Sequence, residues 1–372
     1  MSAENVIELF QELVQINSLS KEERYMADRL IRELKEIGCQ VVEDDTGQKI
    51  EGNAGNVIAH MEGNDKYPTI LLSAHMDRVE PGTDITPVTE NGYIVSDGET
   101  ILGADDLAGV TGILEALKII KEEEIPHGNI KVIFTVAEEL GLLGAKYLDS
   151  FHLEDVDFGV VYDAEGKIGN IISEGPAKAK FNSVIKGESS HAGINPGKGV
   201  NAIKISSLAI SSMNLGQIDD ETTANIGVIR GGIARNIVPD LVELEGEARS
   251  CNRKKLDKQI KHMKNVIQNY VDKYEGGVEY DIEVLYENFS LEKDSEIINI
   301  LSEAALNSNL DLEFIKNCGG NDANIFNNRG VPTANIAVGA ENVHSKNERV
   351  KIDYLKDLVR YTVNIIKMAG NI

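Results

Sequence analysis

Short polar segments follow apolar runs in this chain and carry side chains that could bind a metal ion. The run TILLSAHMD (69–77) ends with His75 and Asp77. Alternate residues of a strand share one face, so both side chains can turn into one pocket. If His75 binds a metal ion, Asp77 is placed to hold the other ring nitrogen and so to fix the tautomer. A single His-x-Asp pair also occurs without a metal, so the other segments must decide.

Two pairs of adjacent carboxylates occur in segments of the same kind. Asp105 and Asp106 stand in SDGETILGADDLAGV, where a glycine-rich turn enters a helix. Glu138 and Glu139 end the apolar strand within IKVIFTVAEE. The aspartates also suit the N-terminus of a helix, and the glutamates could turn directly into solvent. Otherwise, two carboxylates at the end of a buried strand need a cation or a shared proton.

Two further segments complete the set. Asp163 ends the apolar run in VVYDAEG, and His344 lies in ENVHSKNE, just after TANIAVG. Because open α/β sheets place ligands at the carboxyl ends of their strands, we expect these side chains to meet the others. Nitrogen and oxygen ligands without thiolate suit zinc, manganese or cobalt. Two histidines and three carboxylates can hold two ions, which polarise a carbonyl and generate hydroxide. A glutamate free of the ions can act as general base.

The sequence lacks the motifs of several other classes of enzyme. It contains no G-x-S-x-G segment, so a serine hydrolase has little support. It has neither a P-loop nor a strand–GxGxxG–helix unit, so we predict no nucleotide cofactor.

The elements that must position these residues follow from hydrophobic periodicity. Residues 4–16 and 21–38 show helical spacing, and a further helix is predicted at 106–124. Continuous apolar runs separated by helices indicate a buried, largely parallel sheet. The middle of the chain instead alternates apolar and polar residues in four strands, with helices near 200–214 and 253–274. This alternation is typical of a sheet with one face in water.

Beyond the alternating strands the first pattern returns. It includes a helix near 293–308, the extended segment LEFIKNCGG and a final helix at 351–368. We therefore predict an α/β catalytic domain with a mixed, mostly parallel sheet flanked by helices. Its two segments, 1–175 and 288–372, are interrupted by an inserted α+β domain at 176–287.

Composition excludes several classes of partner. The 372 residues include 37 basic and 61 acidic side chains, a net charge of −24 that opposes nucleic acid and anionic membrane surfaces. No apolar run approaches the roughly 18 residues that span a bilayer, and the N-terminus lacks the pattern of a signal peptide. Cys39, Cys251 and Cys318 form no CxxC pair, which suggests a reducing compartment. We expect a cytoplasmic protein without nucleic acid or membrane partners.

The ordered segments resemble a known family. SAHMDRV, GADDLAG, TVAEELGLLGA, YDAEG and VHSKNE look like the di-zinc metallopeptidases that include peptidase T, aminoacylase and the glutamate-releasing carboxypeptidases. The GADD form, the EELGLLGA run and HAGINPGKGVNAI place the chain nearest the peptidase T-like branch. The resemblance covers essentially the whole chain. It implies an aminopeptidase of the tripeptide type with two divalent ions per subunit, most often zinc, with cobalt or manganese as alternatives.

The resemblance also implies a role for each site residue. The metal ligands that it implies are one histidine for each ion, a bridging aspartate and two terminal carboxylates: His75, His344, Asp105, Glu139 and Asp163. Glu138 would be the general base, and Asp77 would orient His75. The peptide bond after Asp105 is usually cis in this family, and we expect it to be cis here.

The insert resembles the lid and dimerisation domain of the family. GESSHAG places His191 where these enzymes present a histidine to the substrate, often from the partner subunit. Asn236 in GGIARNIVPD and Arg249 in GEARS stand at positions associated with substrate binding. We therefore expect a short peptide substrate and a homodimer formed through the insert.

The sequence also departs from the family pattern on the substrate side. Leu107 stands where many relatives carry lysine, and Asp163 is followed by Ala-Glu where peptidase T tends to have glycines. An N-acyl amino acid deacylase of the same fold is the alternative function. A non-catalytic binding relative is a third interpretation, which the retained candidate residues disfavour.

Overall fold

The computed structural model describes residues 3–316 and 319–370, so Cys318 and part of the segment LEFIKNCGG lie outside the described residues. The α-helices of the described part are α1 (Ala3–Val14), α2 (Arg24–Ile37), α3 (Thr46–Ile50), α4 (Ala104–Glu122), α5 (Leu143–Tyr147), α6 (Ala202–Ser212), α7 (Arg253–Lys273), α8 (Glu296–Asn307), α9 (Asp322–Asn328) and α10 (Ile352–Ala369). Short 3-10 helices span Ser150–Leu153 and Pro196–Lys198.

The strands follow the same order along the chain. They are β1 (Gln40–Glu43), β2 (Val57–Met61), β3 (Ile70–His75), β4 (Val88–Glu90), β5 (Tyr93–Val95), β6 (Ile130–Thr135), β7 (Phe158–Ala164), β8 (Asn170–Ile172), β9 (Glu174–Gly175), β10 (Ala177–Lys186), β11 (Ser190–His191), β12 (Gly216–Asp219), β13 (Thr222–Gly231), β14 (Ile237–Val238), β15 (Leu241–Ser250), β16 (Gly277–Tyr286), β17 (Phe289–Ser290), β18 (Glu313–Ile315), β19 (Thr333–Ala337), β20 (Ala340–Glu341) and β21 (Arg349–Lys351).

The chain divides into two compact units. Unit 1 comprises Met1–Ser173, Ser290–Lys316 and Asn321–Ile372. Unit 2 comprises Glu174–Phe289 and Asn317–Gly320. The segment Glu174–Phe289 therefore belongs to a different compact unit from the parts of the chain that precede and follow it.

An eight-stranded sheet with the order β1-β2-β6-β3-β7-β19-β8-β18 forms the centre of unit 1. Strand β3 pairs in parallel with β6 and β7, and β7 pairs in parallel with β19. Antiparallel pairs join β1 to β2, β2 to β6 and β8 to β19. All residues of β3 and β6 are buried, and α4 packs on β3 and β7. The predicted α/β class with a mixed, mostly parallel sheet flanked by helices is confirmed.

The helices of unit 1 form because their apolar residues recur at helical spacing. In α2, the apolar face with Met26, Leu30 and Leu34 is buried in the core. The helix ends at Gly38, which adopts the left-handed backbone conformation that a glycine C-cap provides. The 19-residue helix α4 is buried nearly all round, so its apolar residues contact neighbours on several sides, including α1 and α10.

Unit 2 is an antiparallel sheet with the order β12-β13-β15-β10-β16, packed on helices α6 and α7. Along β10, buried residues alternate with more exposed ones. The buried face of the sheet, with Phe181 and Ile185, forms a core with Leu256, Met263 and Ile267 of α7. The predicted pattern of a sheet with one face in water is confirmed.

Among the described helices, none combines the length and the apolar character required to cross a bilayer. Cys39 is a free thiol and is buried.

Candidate metal centre

Parallel strands bring the predicted ligands together at one edge of the sheet in unit 1. His75 is the last residue of β3 and pairs with Thr135, the last residue of β6. Asp163 lies near the end of β7, on the other side of β3. Its Oδ1 atom is 3.9 Å from Nε2 of His75. The register of the strands therefore places these side chains in one cluster.

Asp105 directs its two carboxylate oxygens at two different histidines. Its Oδ1 atom lies 3.1 Å from Nε2 of His75, and its Oδ2 atom lies 3.1 Å from Nε2 of His344. Nε2 of His344 also lies 2.8 Å from Oε1 of Glu139. The peptide bond between Asp105 and Asp106 is cis, as the family resemblance implied. All five predicted ligands thus belong to a single cluster.

Glu138 also reaches this cluster. Among the described residues, two groups of three side chains have ligand atoms within 4.8 Å of one another: His75, Asp105 and Glu139, and His75, Glu138 and Asp163. Glu138 therefore lies as close to potential metal positions as the carboxylates predicted to be ligands. Distance alone permits it to act as ligand or as base.

Asp77 contacts both the imidazole of His75 and the turn that follows β6. Nδ1 of His75 is 3.0 Å from the backbone carbonyl oxygen of Asp77 and 3.5 Å from its carboxylate. The carboxylate accepts hydrogen bonds from the N–H groups of Glu138, at 2.9 Å, and Glu139, at 3.3 Å. The carbonyl contact leaves Nε2 of His75 available as a ligand. The second role of Asp77, in holding the turn, was missed in the sequence.

Burial and mutual repulsion determine the protonation of the cluster. Burial raises the pKa of Glu138 well above its ordinary value, and Asp163 adds to the rise. Burial and Asp105 raise the pKa of Asp163 in the same way. For Asp105, burial acts in the same direction, but hydrogen bonds to the two histidines outweigh it and lower its pKa. Hydrogen bonds to Asp105 and Glu139 raise the pKa of His344 to about 10.

The donor set fits a pair of divalent cations. It offers the imidazole nitrogens of His75 and His344 and several carboxylate oxygens, and the described cluster contains no thiolate. Buried carboxylates at this separation repel one another unless protons or cations neutralise them. Divalent cations would supply that neutralisation with the ligand types that zinc, cobalt and manganese accept.

Buried polar side chains with no role in the sequence analysis hold the turn after β6. The N–H of Val136 donates to Oδ1 of Asn56 at 3.1 Å, and the N–H of Ala137 donates to Oε1 of Glu23 at 3.0 Å. With Asp77, these acceptors bind four consecutive N–H groups. Burial raises the pKa of Glu23 to about 7, and the nearby Asp77 carboxylate adds to the rise.

Similar hydrogen bonds from polar side chains hold two other predicted ligands. The N–H of Asp163 donates to Oδ1 of Asn335 at 2.9 Å, and the amide of Asn335 donates back to the Asp163 carbonyl at 3.1 Å. The backbone N–H of His75 donates to Oδ2 of Asp106 at 3.1 Å. A polar residue inside an apolar run, as Asn335 is in TANIAVG, was the available sequence signal.

The predicted substrate-binding residues lie in unit 2. His191 in β11 pairs with Ile237 of β14, and the carbonyl of Asn236 accepts the N–H of Ala192 at 2.9 Å. The structure thus brings His191 and Asn236 together. Arg249 lies on β15 and pairs with the Glu247 carboxylate at 2.8 Å.

The imidazole of His191 has a defined tautomer in its neutral form. Its Nδ1 atom accepts hydrogen bonds from the N–H groups of Gly193, at 3.1 Å, and Ile194, at 3.2 Å. A ring nitrogen that accepts a hydrogen bond carries no proton, so Nε2 carries it. The exposed ring therefore presents an N–H donor.

Comparison of the sequence with known protein families assigns the chain to one of them. The sequence profile of peptidase family M20/M25/M40 matches residues 71–368, which contain every predicted site residue from His75 to His344. The chain belongs to peptidase family M20/M25/M40. The predicted kinship with peptidase T-like metallopeptidases is confirmed by relatives along the full chain.

Relatives of this M20/M25/M40 peptidase are found among sequences and solved structures. The chain is 42% identical over 370 residues to the uncharacterized protein YqjE of Bacillus subtilis, with 100% of both chains covered. It is 28% identical to peptidase T of Brevibacillus brevis, over 92% of this chain and 90% of the relative. It is 39% identical to the solved aminopeptidase PepT of Bacillus cereus and to a solved tripeptidase of Staphylococcus aureus. Both comparisons cover 100% of this chain and 100% of the solved chain. The TM-score is 0.92 for the Bacillus cereus structure and 0.96 for the Staphylococcus aureus structure.

Proposed function

We propose that this chain is a metal-dependent aminopeptidase that releases the N-terminal residue of tripeptides. The observation that carries the proposal is the placement of Asp105, whose two oxygens face His75 and His344 at 3.1 Å each. This is the arrangement expected of a carboxylate that bridges two ions. The substrate class is supported by the solved relatives described as an aminopeptidase and a tripeptidase.

We assign one ion to His75, Asp105 and Asp163 and the other to His344, Asp105 and Glu139, with zinc as the expected metal. The ions would supply two things when bound, namely polarisation of the scissile carbonyl and a lowered pKa of the attacking water. The assignment rests on donor types and on the atom distances of the cluster. It also rests on the family resemblance of the five segments.

Protein side chains would then transfer the protons and bind the peptide. Glu138 takes a proton from the attacking water and passes it to the leaving amine, while Asp77 holds the N–H of Glu138. From the family resemblance, His191 of this subunit or of its partner donates its Nε2–H to the developing oxyanion. Asn236 and Arg249 bind the peptide, with the guanidinium suited to a free carboxylate.

We also propose that the protein is a cytoplasmic homodimer that associates through unit 2. In addition to the resemblance, unit 2 exposes several large apolar side chains, among them Ile229, Ile233 and Leu241. Burying these side chains in an interface would remove apolar surface from water, which is favourable. Light scattering after size exclusion tests the dimer, and a monomer at micromolar concentration would exclude it.

A small substrate panel tests the activity. We would follow a tripeptide, its N-acetyl form, its C-terminal amide and an N-acetyl amino acid by mass spectrometry, with zinc, cobalt or manganese and after chelation. We expect metal-dependent loss of the first residue from tripeptides with a free amine. Cleavage of only the acylated compounds would assign the chain to the deacylases. If none of the compounds is cleaved although two ions are bound, the proposed substrate class is refuted but the metal centre is not.

A further inference from the structure

Glu348 is a buried carboxylate that lies four residues after His344 on the same segment. It is 1% exposed, and its two oxygens accept three backbone hydrogen bonds. Oε2 accepts the N–H groups of Leu102 and Gly103, each at 2.8 Å, and Oε1 accepts the N–H of Asp105 at 3.0 Å. These partners are more than 240 residues away in sequence.

The three N–H groups belong to the turn that leads into α4 and presents Asp105. Gly103 has a φ of 76°, in the left-handed region that favours glycine. A Cβ atom there would lie 3.3 Å from the Arg78 guanidinium. The turn therefore has little room for change, and the Glu348 carboxylate is the side-chain group that binds its amides.

A buried guanidinium lies beside the same turn. Arg78 is buried, and its guanidinium donates to the carbonyl oxygens of Val14 and Ile16 at the end of α1. The guanidinium and the Glu348 carboxylate attract each other. Removing the carboxylate would leave three N–H groups without their acceptor, and such groups are costly when buried.

We propose that Glu348 is a positioning residue of the metal centre. It fixes the main chain of Asp105 so that one oxygen faces His75 and the other faces His344, and it ties Asp105 to the segment that carries His344. The inference rests on the proposed function, in which Asp105 bridges two ions.

The Glu348→Gln variant tests this proposal. Glutamine has the same size but only one acceptor oxygen, so at least one of the three hydrogen bonds must be lost. Outer groups that orient ligands typically contribute about 10–100-fold to metal affinity or activity. We expect a loss of that size in kcat and in affinity for the weaker-bound ion, with KM little changed. Titration of the metal-free protein with Zn²⁺ or Co²⁺ by calorimetry, and the Co²⁺ absorption spectrum, measure binding independently of turnover.

Glu341→Gln is the matched control. Glu341 lies on the same segment, but its carboxylate pairs with Arg349 at 2.6 Å, away from the three amides. We expect wild-type kinetics, ion affinities and Co²⁺ spectrum from this variant. A Glu348→Gln protein that melts earlier but keeps wild-type ion affinities and kcat would overturn the proposal, because only a structural role would remain.

The outcomes separate this proposal from the proposed function. If the wild-type protein fails to bind two ions, the proposed function is refuted. If wild type binds two ions and Glu348→Gln binds them equally well, the positioning role is refuted. If the Glu348→Gln variant fails to fold, the positioning role is tested instead by measuring backbone amide hydrogen exchange in the wild-type protein. Amides of Leu102, Gly103 and Asp105 that exchange as slowly as those inside α4 support the role, and fast exchange overturns it.

Discussion

Glu138 and Glu139 are neighbours in sequence, but their carboxylates have different surroundings. Glu138 is 7% exposed, and burial together with Asp163 raises its pKa well above the ordinary value. Oε1 of Glu139 lies 2.8 Å from Nε2 of His344. A carboxylate with a raised pKa accepts a proton more readily, whereas one that contacts a predicted ligand imidazole is placed to share the ion proposed there. These surroundings favour Glu138 as the base and Glu139 as the ligand.

Replacing Glu138 by glutamine should therefore slow turnover strongly and preserve metal binding. Glutamine fills the same space but cannot take a proton from water. We expect kcat to fall by about 10²–10⁴-fold, the usual contribution of a general base, with two ions still bound. Steady-state kinetics and metal analysis after dialysis measure the two effects separately.

Glu154→Gln is the control for that experiment, because Glu154 is an exposed carboxylate of unit 1. It should match wild type in kinetics and metal content. The loss of one ion from Glu138→Gln would instead identify Glu138 as a ligand, a role that its distance from His75 and Asp163 also permits.

Helices and strands were the part of this molecule most readily predicted from sequence. The predicted final helix at 351–368 is observed at Ile352–Ala369, and the predicted helix at 253–274 is observed at Arg253–Lys273. Apolar periodicity is a local property, so it locates such elements well. The edge at which the ligands meet followed from the parallel strands, because such strands end on the same side.

Contacts between distant segments could not be predicted in this way. Glu23 holds Ala137 across 114 residues of sequence, and Asn335 holds Asp163 across 172. No spacing within one segment indicates such pairs. Strand direction was also not fixed by the sequence, because a continuous apolar run such as NVIAHM indicates burial on both faces, which is typical of parallel strands but does not require them. The strand it forms, β2, pairs antiparallel with both β1 and β6.

Helix α4 connects a glycine to the geometry of the metal centre. A Cβ atom at Gly109 would lie 2.4 Å from Oδ1 of Asp106 and 2.6 Å from the Tyr162 carbonyl. Oδ2 of Asp106 accepts the N–H of His75. Helix propensity alone favours alanine over glycine by about 1 kcal/mol, so a loss of stability in Gly109→Ala would report the clash. We expect a melting temperature lower by several degrees and an ion affinity lower by about 10-fold or more.

Gly112→Ala provides a matched control in the same helix. The three atoms nearest to its Cβ would all belong to the Leu358 side chain, two of them at 2.9 Å, and a side chain can move more readily than a backbone carbonyl. We expect a smaller fall in melting temperature and a wild-type ion affinity by calorimetry. Equal ion affinities in the two variants would contradict a link between Gly109 and the centre.

At the scale of the whole molecule, protons and metal ions compete for the same buried groups. The chain carries a net charge of −24. In the metal-free protein, hydrogen bonds to Asp105 and Glu139 raise the pKa of His344 to about 10 from an ordinary value of 6.5. Burial, with the help of neighbouring carboxylates, raises the pKa values of Glu138 and Asp163. These three groups bind protons more tightly in the folded metal-free protein than in the unfolded chain.

This difference sets the sign of the pH dependence. Stability falls as pH rises wherever the folded state holds more protons than the unfolded state. The contribution of His344 is fully present below its unfolded pKa of 6.5 and is lost as pH rises through its folded pKa of about 10. Glu138 and Asp163 act in the same direction, beginning above the ordinary pKa of a carboxyl group. Asp105, whose pKa is lowered, gives stability above its unfolded pKa and loses it only as pH falls through the lower folded value.

We therefore predict that the metal-free protein loses several degrees of melting temperature as pH rises from about 7 to about 9.5. Bound ions would keep the ligands deprotonated throughout, so the metal-loaded protein should change less over the same range. Thermal unfolding in the presence of a chelator or of Zn²⁺, at matched ionic strength, measures both curves. The stabilisation by metal should thus grow with pH. A constant difference between the two curves would contradict the view that protons replace the ions at His344 and the buried carboxylates.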